Sequence, residues 1–178
     1  MQYTLVAYVE DKPGVLNRVS SLFRRRAFNI ESLTVGHTEQ PGVSRMTIVV
    51  DADQAEVRRI EANLYKLVNV LRVQDVSNTP AVTRDLALIK VAADINTRAQ
   101  VMQLVDVFRA RIVDVANESL VVEITGTEDK IEGLIEVLRP LGIIEMVRTG
   151  IVAMTRGPGA VTLNPPLVPA RVPEMATA

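Results

Sequence analysis

One run of elements is legible twice along this chain, and that repetition limits the fold more than any single motif. In the first copy, Gln2 to Glu10 sets Leu5, Ala7 and Val9 against Thr4, Val6 and Tyr8. Both faces are largely apolar, as in a buried strand. Asp11-Lys12-Pro13-Gly14 is a turn with proline near a helix start. The helix that follows carries Val15, Leu16, Val19, Leu22 and Phe23 on one expected face, with Arg18 and Arg24 to Arg26 elsewhere. Asn29 to Thr38 and Val43 to Val50 read as strands joined by a hairpin at Glu39-Gln40-Pro41-Gly42. Asp51 or Asp53 caps a second helix with the stripe Val57, Ile60, Leu64, Leu67 and Val68. Val70 to Val76 is the fourth strand.

The second copy follows a polar linker, Ser77-Asn78-Thr79-Pro80. Asp85 to Ala93 reads as a strand, and Asn96 as the cap of a helix with Val101, Leu104, Val105 and Phe108 inward. Arg111 to Ala116 and Leu120 to Thr125 form a hairpin. Thr127 caps a helix bearing Ile131, Leu134, Ile135 and Leu138, and Ile143 to Thr149 closes the block. The order is β-α-β-β-α-β in both copies, the ferredoxin-like arrangement, and the spacing points to an internal duplication. The expected class is α+β: two tandem ferredoxin-like domains, residues 1–77 and 84–157, then a Pro- and Ala-rich tail, 158–178, read as disordered. Each sheet is expected to carry both helices on one face and to leave an apolar face that a second copy or a partner would cover.

The remaining composition removes whole classes of function. The chain has 20 basic and 21 acidic residues, net charge −1, so no electrostatic field draws it to nucleic acid or membrane. Aromatic residues are 3% of the chain, too few for the base-stacking sheet of an RNA-recognition domain. Cysteine is absent, and His37 is the only histidine, read as a surface residue; no metal or thiol chemistry is expected. No Walker loop, nucleophile elbow or dinucleotide fingerprint occurs. The opening residues lack the basic and apolar regions of a secretory signal, and no apolar run approaches ~18 residues, so a cytoplasmic protein is expected.

One place could bind something. Gly14 leaves backbone N–H groups unshielded at a helix start, where an anion is favoured. An amino acid needs a carboxylate site, an ammonium acceptor and an apolar pocket. Gly14, Val15 and Leu16 offer the first through N–H groups, Asp11 and Asn29 the second, Ile30 and Val35 the third. The competing reading is structural: Pro13-Gly14 is only a turn and Asn29 only a strand cap.

The string Glu10-Asp11-Lys12-Pro13-Gly14-Val15-Leu16-Asn17-Arg18-Val19 resembles the opening of an ACT domain. The continuation from Leu22 to Val35 is similar to the small regulatory subunits of acetolactate synthase (acetohydroxyacid synthase). So are Ser44 to Ile48, Lys66 to Val70, Arg84 to Lys90, and Arg148-Thr149-Gly150 with Ala153 and Arg156-Gly157. The resemblance runs in order from residue 1 to about 157. It implies a non-catalytic regulator that activates a large catalytic subunit and carries feedback inhibition by valine, leucine or isoleucine. It also implies a homodimer or higher oligomer with the effector bound between paired ACT domains. Thiamine diphosphate, Mg and FAD are then expected on the catalytic partner and no cofactor on this chain. Asp11 stands where the family often has asparagine, and the second block has no glycine matching Gly14, so no effector site is carried there. A free-standing amino-acid sensor with another partner is the alternative. An acylphosphatase-type enzyme shares the topology but needs an arginine in the first loop, and Glu10 to Gly14 has none.

Overall fold

The structure is a computed structural model, described here over residues 1–158. The expected tail, 158–178, lies outside the described residues beyond Pro158. Two compact units are present, the first built mainly from Met1–Glu31 and Val35–Thr79, the second from Pro80–Thr155. Both are ferredoxin-like, and the class is α+β.

The first unit runs β1 (Gln2–Glu10), α1 (Val15–Arg25), β2 (Ser32–His37), β3 (Val43–Asp51), α2 (Gln54–Leu64) and β4 (Val70–Asp75). Its strand order is β2-β3-β1-β4. β1 is therefore central, antiparallel to β3 from Gln2 opposite Asp51 to Glu10 opposite Val43, and antiparallel to β4 on its other side. Strand alternation puts Leu5, Ala7, Ile48 and Met46 on one face, where they are buried with Val19 and Phe23 of α1 and Ile60 and Leu64 of α2. Asp53 caps α2 through a reciprocal pair, its carboxylate accepting from Glu56 N–H and Glu56 accepting from Asp53 N–H.

Several expectations change here. α2 ends at Leu64, so Leu67 and Val68 lie past the helix, and Val68 is exposed. Leu16 is 44% exposed rather than on the inward stripe of α1. The opposite face of the first sheet is not open, because Val6, Tyr8, Thr47 and Val49 are buried as well. There Arg45 stacks over the Tyr8 ring at 5.1 Å and donates to its hydroxyl.

The second unit runs β5 (Ala81–Ala92), α3 (Arg98–Val107), β6 (Arg111–Val115), β7 (Ser119–Gly126), α4 (Glu128–Leu138), β8 (Ile143–Arg148) and β9 (Val152–Thr155). Its order is β6-β7-β5-β8, with β9 paired to the first residues of β5. The unit thus departs from a simple copy: β5 starts at Ala81, directly after the linker and ahead of the expected Asp85, because β9 gives Ala81–Arg84 a partner. Ala87, Ile89 and Val91 of β5 pack with Val101 and Val105 of α3 and Ile131, Leu134 and Leu138 of α4. Asn96 does not cap α3. Asp94 accepts from Asn96 and Thr97 N–H at 2.9 and 2.8 Å, and Thr97 returns a bond from Asp94 N–H at 3.1 Å.

Candidate functional site

The Asp11–Gly14 turn is positioned by three elements at one end of the first sheet. Asp11 N–H donates to Gly42 carbonyl at 2.8 Å, fixing the exit of β1 against the β2–β3 hairpin. Gly14 has φ +83°, a left-handed conformation that costs glycine nothing and other residues about 1 kcal/mol or more. A side chain there would meet no atom within 4 Å, so the glycine is required by conformation and not by crowding. No side chain caps α1, and its first turn holds no acidic residue. Val15 N–H donates to Lys12 carbonyl at 3.3 Å, while Gly14 and Leu16 N–H find no acceptor among the described residues. Asn17 N–H finds none either, so the helix start presents three unpaired N–H groups and a partial positive charge. Val15 contributes no surface, since its side chain is buried.

Asp11 is the polar centre of the turn. Its carboxylate accepts from Ser44 hydroxyl at 3.2 Å and stands 3.3 Å from His37 Nδ1. His37 is a surface residue as expected, 84% exposed, yet it sits beside a carboxylate from a distant part of the chain. Sequence reasoning missed that neighbour because 26 residues separate them (37 − 11) and only the hairpin brings them together.

Behind the turn, Glu10 and Asn69 lock β1 to β4. The Asn69 amide donates to Glu10 carboxylate at 2.5 Å, and Arg18 of α1 donates to the Asn69 side-chain oxygen. The hydrogen bond from Asn69, aided by Lys12 3.1 Å away, holds Glu10 below the usual carboxylate range.

Asn29 and Ile30 lie elsewhere. Glu31 N–H donates to Val49 carbonyl at 2.9 Å, and Val49 stands opposite Thr4. Asp11 is seven residues further along the direction of β1 (11 − 4), about 23 Å away. The expectation that Asn29 reaches the turn within one chain therefore fails, because strand geometry puts the two at opposite ends of one sheet. Asn29 donates instead to Glu31. Ile30 is half-buried, and Val35 is exposed partway along the edge strand β2. Among the described residues, no group of three or more His, Cys, Asp or Glu is placed to hold a metal ion.

Residues 5–72 match the family described as the AHAS small subunit-like ACT domain, and residues 84–157 match the small subunit of acetolactate synthase. The chain belongs to the acetolactate synthase small-subunit family. Members include the acetolactate synthase small subunit of Mycolicibacterium smegmatis, 53% identical over 88% of this chain and 92% of that one. The Bacillus subtilis small subunit is 46% identical over 88% and 92%. The crystal structure of the small subunit from Thermotoga maritima superposes with a TM-score of 0.84 at 42% identity, covering 89% of this chain and 99% of that one. The family match extends across both units. No helix among its described residues is long and apolar enough to cross a membrane.

Proposed function

We propose that this chain regulates acetolactate synthase without catalysing the reaction. It raises the activity of a large catalytic subunit, which holds thiamine diphosphate, Mg and FAD, in the cytoplasm. It then lowers that activity when valine, or leucine or isoleucine, binds its first domain. Residues 1–77 are the effector and dimerisation domain, and 84–157 pass the signal on. Family membership across both units supports this over a free-standing sensor.

The observation that carries the site assignment is the separation of Asn29 from the Asp11–Gly14 turn. A site using both draws them from two copies of the chain. β1 is flanked by β3 and β4 and cannot pair with another chain, which leaves the edge strands β2 and β4 and helix α1; of these, β2 runs from the Asn29 side to His37 beside the turn. Antiparallel pairing of β2 with its twin reverses one chain relative to the other. The Asn29 end of one copy then meets the His37 end of its partner, where Asp11 and Gly14 lie. The ligand carboxylate sits on the Gly14 and Leu16 N–H groups, and Asp11 and the other copy's Asn29 take the ammonium. Ile30 and Val35 of that other copy line its side chain.

Mixing two defective chains tests this. Gly14→Asp and Asn29→Ala each remove both sites of a homodimer. A mixed dimer has one site with both changes and one with neither, so about a quarter of all sites recover in an equal mixture. Calorimetry with valine reads that recovery. Valine binding restored to neither more nor less than the sum of the separate variants would refute a shared site.

A further inference from the structure

The outward side of the first helical layer holds a cavity of about 450 Å³ between the second half of α1 and the end of α2. Leu22 and Leu67 form its apolar floor, and Arg25, Arg26, Lys66 and Asn63 its polar walls. No carboxylate lines it. Among the described residues none of the three cations lies in an ion pair.

Helix capping does not account for these cations. Three of the last carbonyls of α1 are already taken by backbone: Leu22 and Phe23 by Arg26 N–H, Arg24 by Ala27 N–H. Past α2, Lys66 N–H and Leu67 N–H turn back onto Asn63 and Leu64 carbonyls in the same way. Among the described residues neither the Arg25 nor the Arg26 guanidinium donates a hydrogen bond to the helix end. Lys66 is steered into the groove by its bond to the Asn63 side-chain oxygen at 3.3 Å, and Asn63 is held by donating to Arg59 carbonyl at 2.7 Å. Two helix C-termini contribute about half a negative charge each, which three full positive charges outweigh.

We propose that this groove binds a small organic phosphate. The volume falls within the usual ~300–1,000 Å³ of small-molecule sites. Two arginines supply planar forks that match phosphate oxygens, and Lys66 supplies a point charge. Leu22 and Leu67 take a compact apolar group attached to the phosphate. No aromatic side chain lines the groove, so a stacked nucleic-acid base is a poor match. The site is separate from the Asp11–Gly14 turn and does not depend on the effector assignment.

The test is a titration of the full chain with phenyl phosphate, with inorganic phosphate as competitor. Saturable binding at one site per chain is expected, displaced by inorganic phosphate and falling steeply with salt. The pair Arg25→Gln with Arg26→Gln should weaken it at least about tenfold, and Lys66→Gln by several-fold, because each removes a charge-assisted bond. All three side chains are exposed, so both variants keep the wild-type melting temperature. No saturation up to about 10 mM overturns the proposal, as does wild-type binding in both variants. So does a result in which the variants lose only the catalytic subunit and the wild-type chain binds no phosphate, which makes the groove a protein contact.

Discussion

Glu10 and Asn69 hold each other twice: Glu10 N–H donates to the Asn69 carbonyl at 2.9 Å, and the Asn69 amide donates to the Glu10 carboxylate. Arg18 closes the set on the Asn69 side-chain oxygen. Asn69 is only 7% exposed, whereas Arg18 is exposed and Glu10 half-buried, so water replaces part of what these partners would lose. Asn69→Ala should cost about 1–3 kcal/mol at neutral pH, read by urea unfolding. The pH dependence has a definite sign. Glu10 is depressed below its ordinary 4.5, so its contribution is complete above that value and is lost as pH falls through the folded value. The difference between wild type and Asn69→Ala should therefore narrow as pH falls below the ordinary 4.5. A gap that stays constant down to pH 3 would show that ionised Glu10 is not involved.

In the second unit the comparable lock is ionic. Arg148 donates to Asp85 through Nε at 2.9 Å and Nη2 at 2.7 Å, and its third nitrogen reaches Glu132. The Asp85 side chain is 2% exposed, whereas that of Glu132 is about half exposed. Removing the buried member leaves a partly buried guanidinium short of a partner. Asp85→Ala should cost about 3 kcal/mol or more, and Glu132→Ala less than about 1 kcal/mol. Equal losses in thermal unfolding would contradict this ranking.

Both β-α-β-β-α-β orders were legible because apolar alternation and turn residues agree in each copy. Leu16 was misread because a stripe of five apolar residues is wider than the face α1 buries, which is Val15, Val19, Leu22 and Phe23. β9 escaped because Val152 to Thr155 pairs with residues 68 to 74 positions upstream, from Arg84 opposite Val152 to Ala81 opposite Thr155, and no local pattern carries that information. The site was half legible. Asp11 and Gly14 are marked by turn chemistry within four residues. The distance of Asn29 from them is set by the register of β3, which the sequence of the Asn29 segment does not encode.

Gly14 separates two effects that a single substitution would mix. Its left-handed φ penalises any side chain, but the space around it is empty. Gly14→Ala should therefore fold, lose about 1 kcal/mol of stability and bind valine within a few-fold of wild type. Gly14→Asp suffers the same strain and adds a charge facing the ligand carboxylate, so it should weaken valine by about tenfold or more. Circular dichroism melts and calorimetry read the two quantities separately. Equal loss of binding in both variants would assign the effect to backbone strain and not to charge.

Asp11→Asn tests where the ligand carboxylate sits. Asn keeps an oxygen for the Ser44 hydroxyl, now 3.2 Å from the Asp11 carboxylate, and removes one negative charge from beside the α1 start. If the carboxylate lies on the Gly14 and Leu16 N–H groups, it feels that charge directly. Through partly exposed surroundings two like charges some 6 Å apart repel by about 1–3 kcal/mol before salt screening. The ammonium loses a charged acceptor but keeps a neutral one, which offsets part of the gain. The net expectation is a several-fold tighter valine site at low salt, with the advantage shrinking as salt rises. Weaker binding at every salt concentration would contradict this, and would show that the charged contact from Asp11 to the ammonium outweighs its repulsion of the carboxylate.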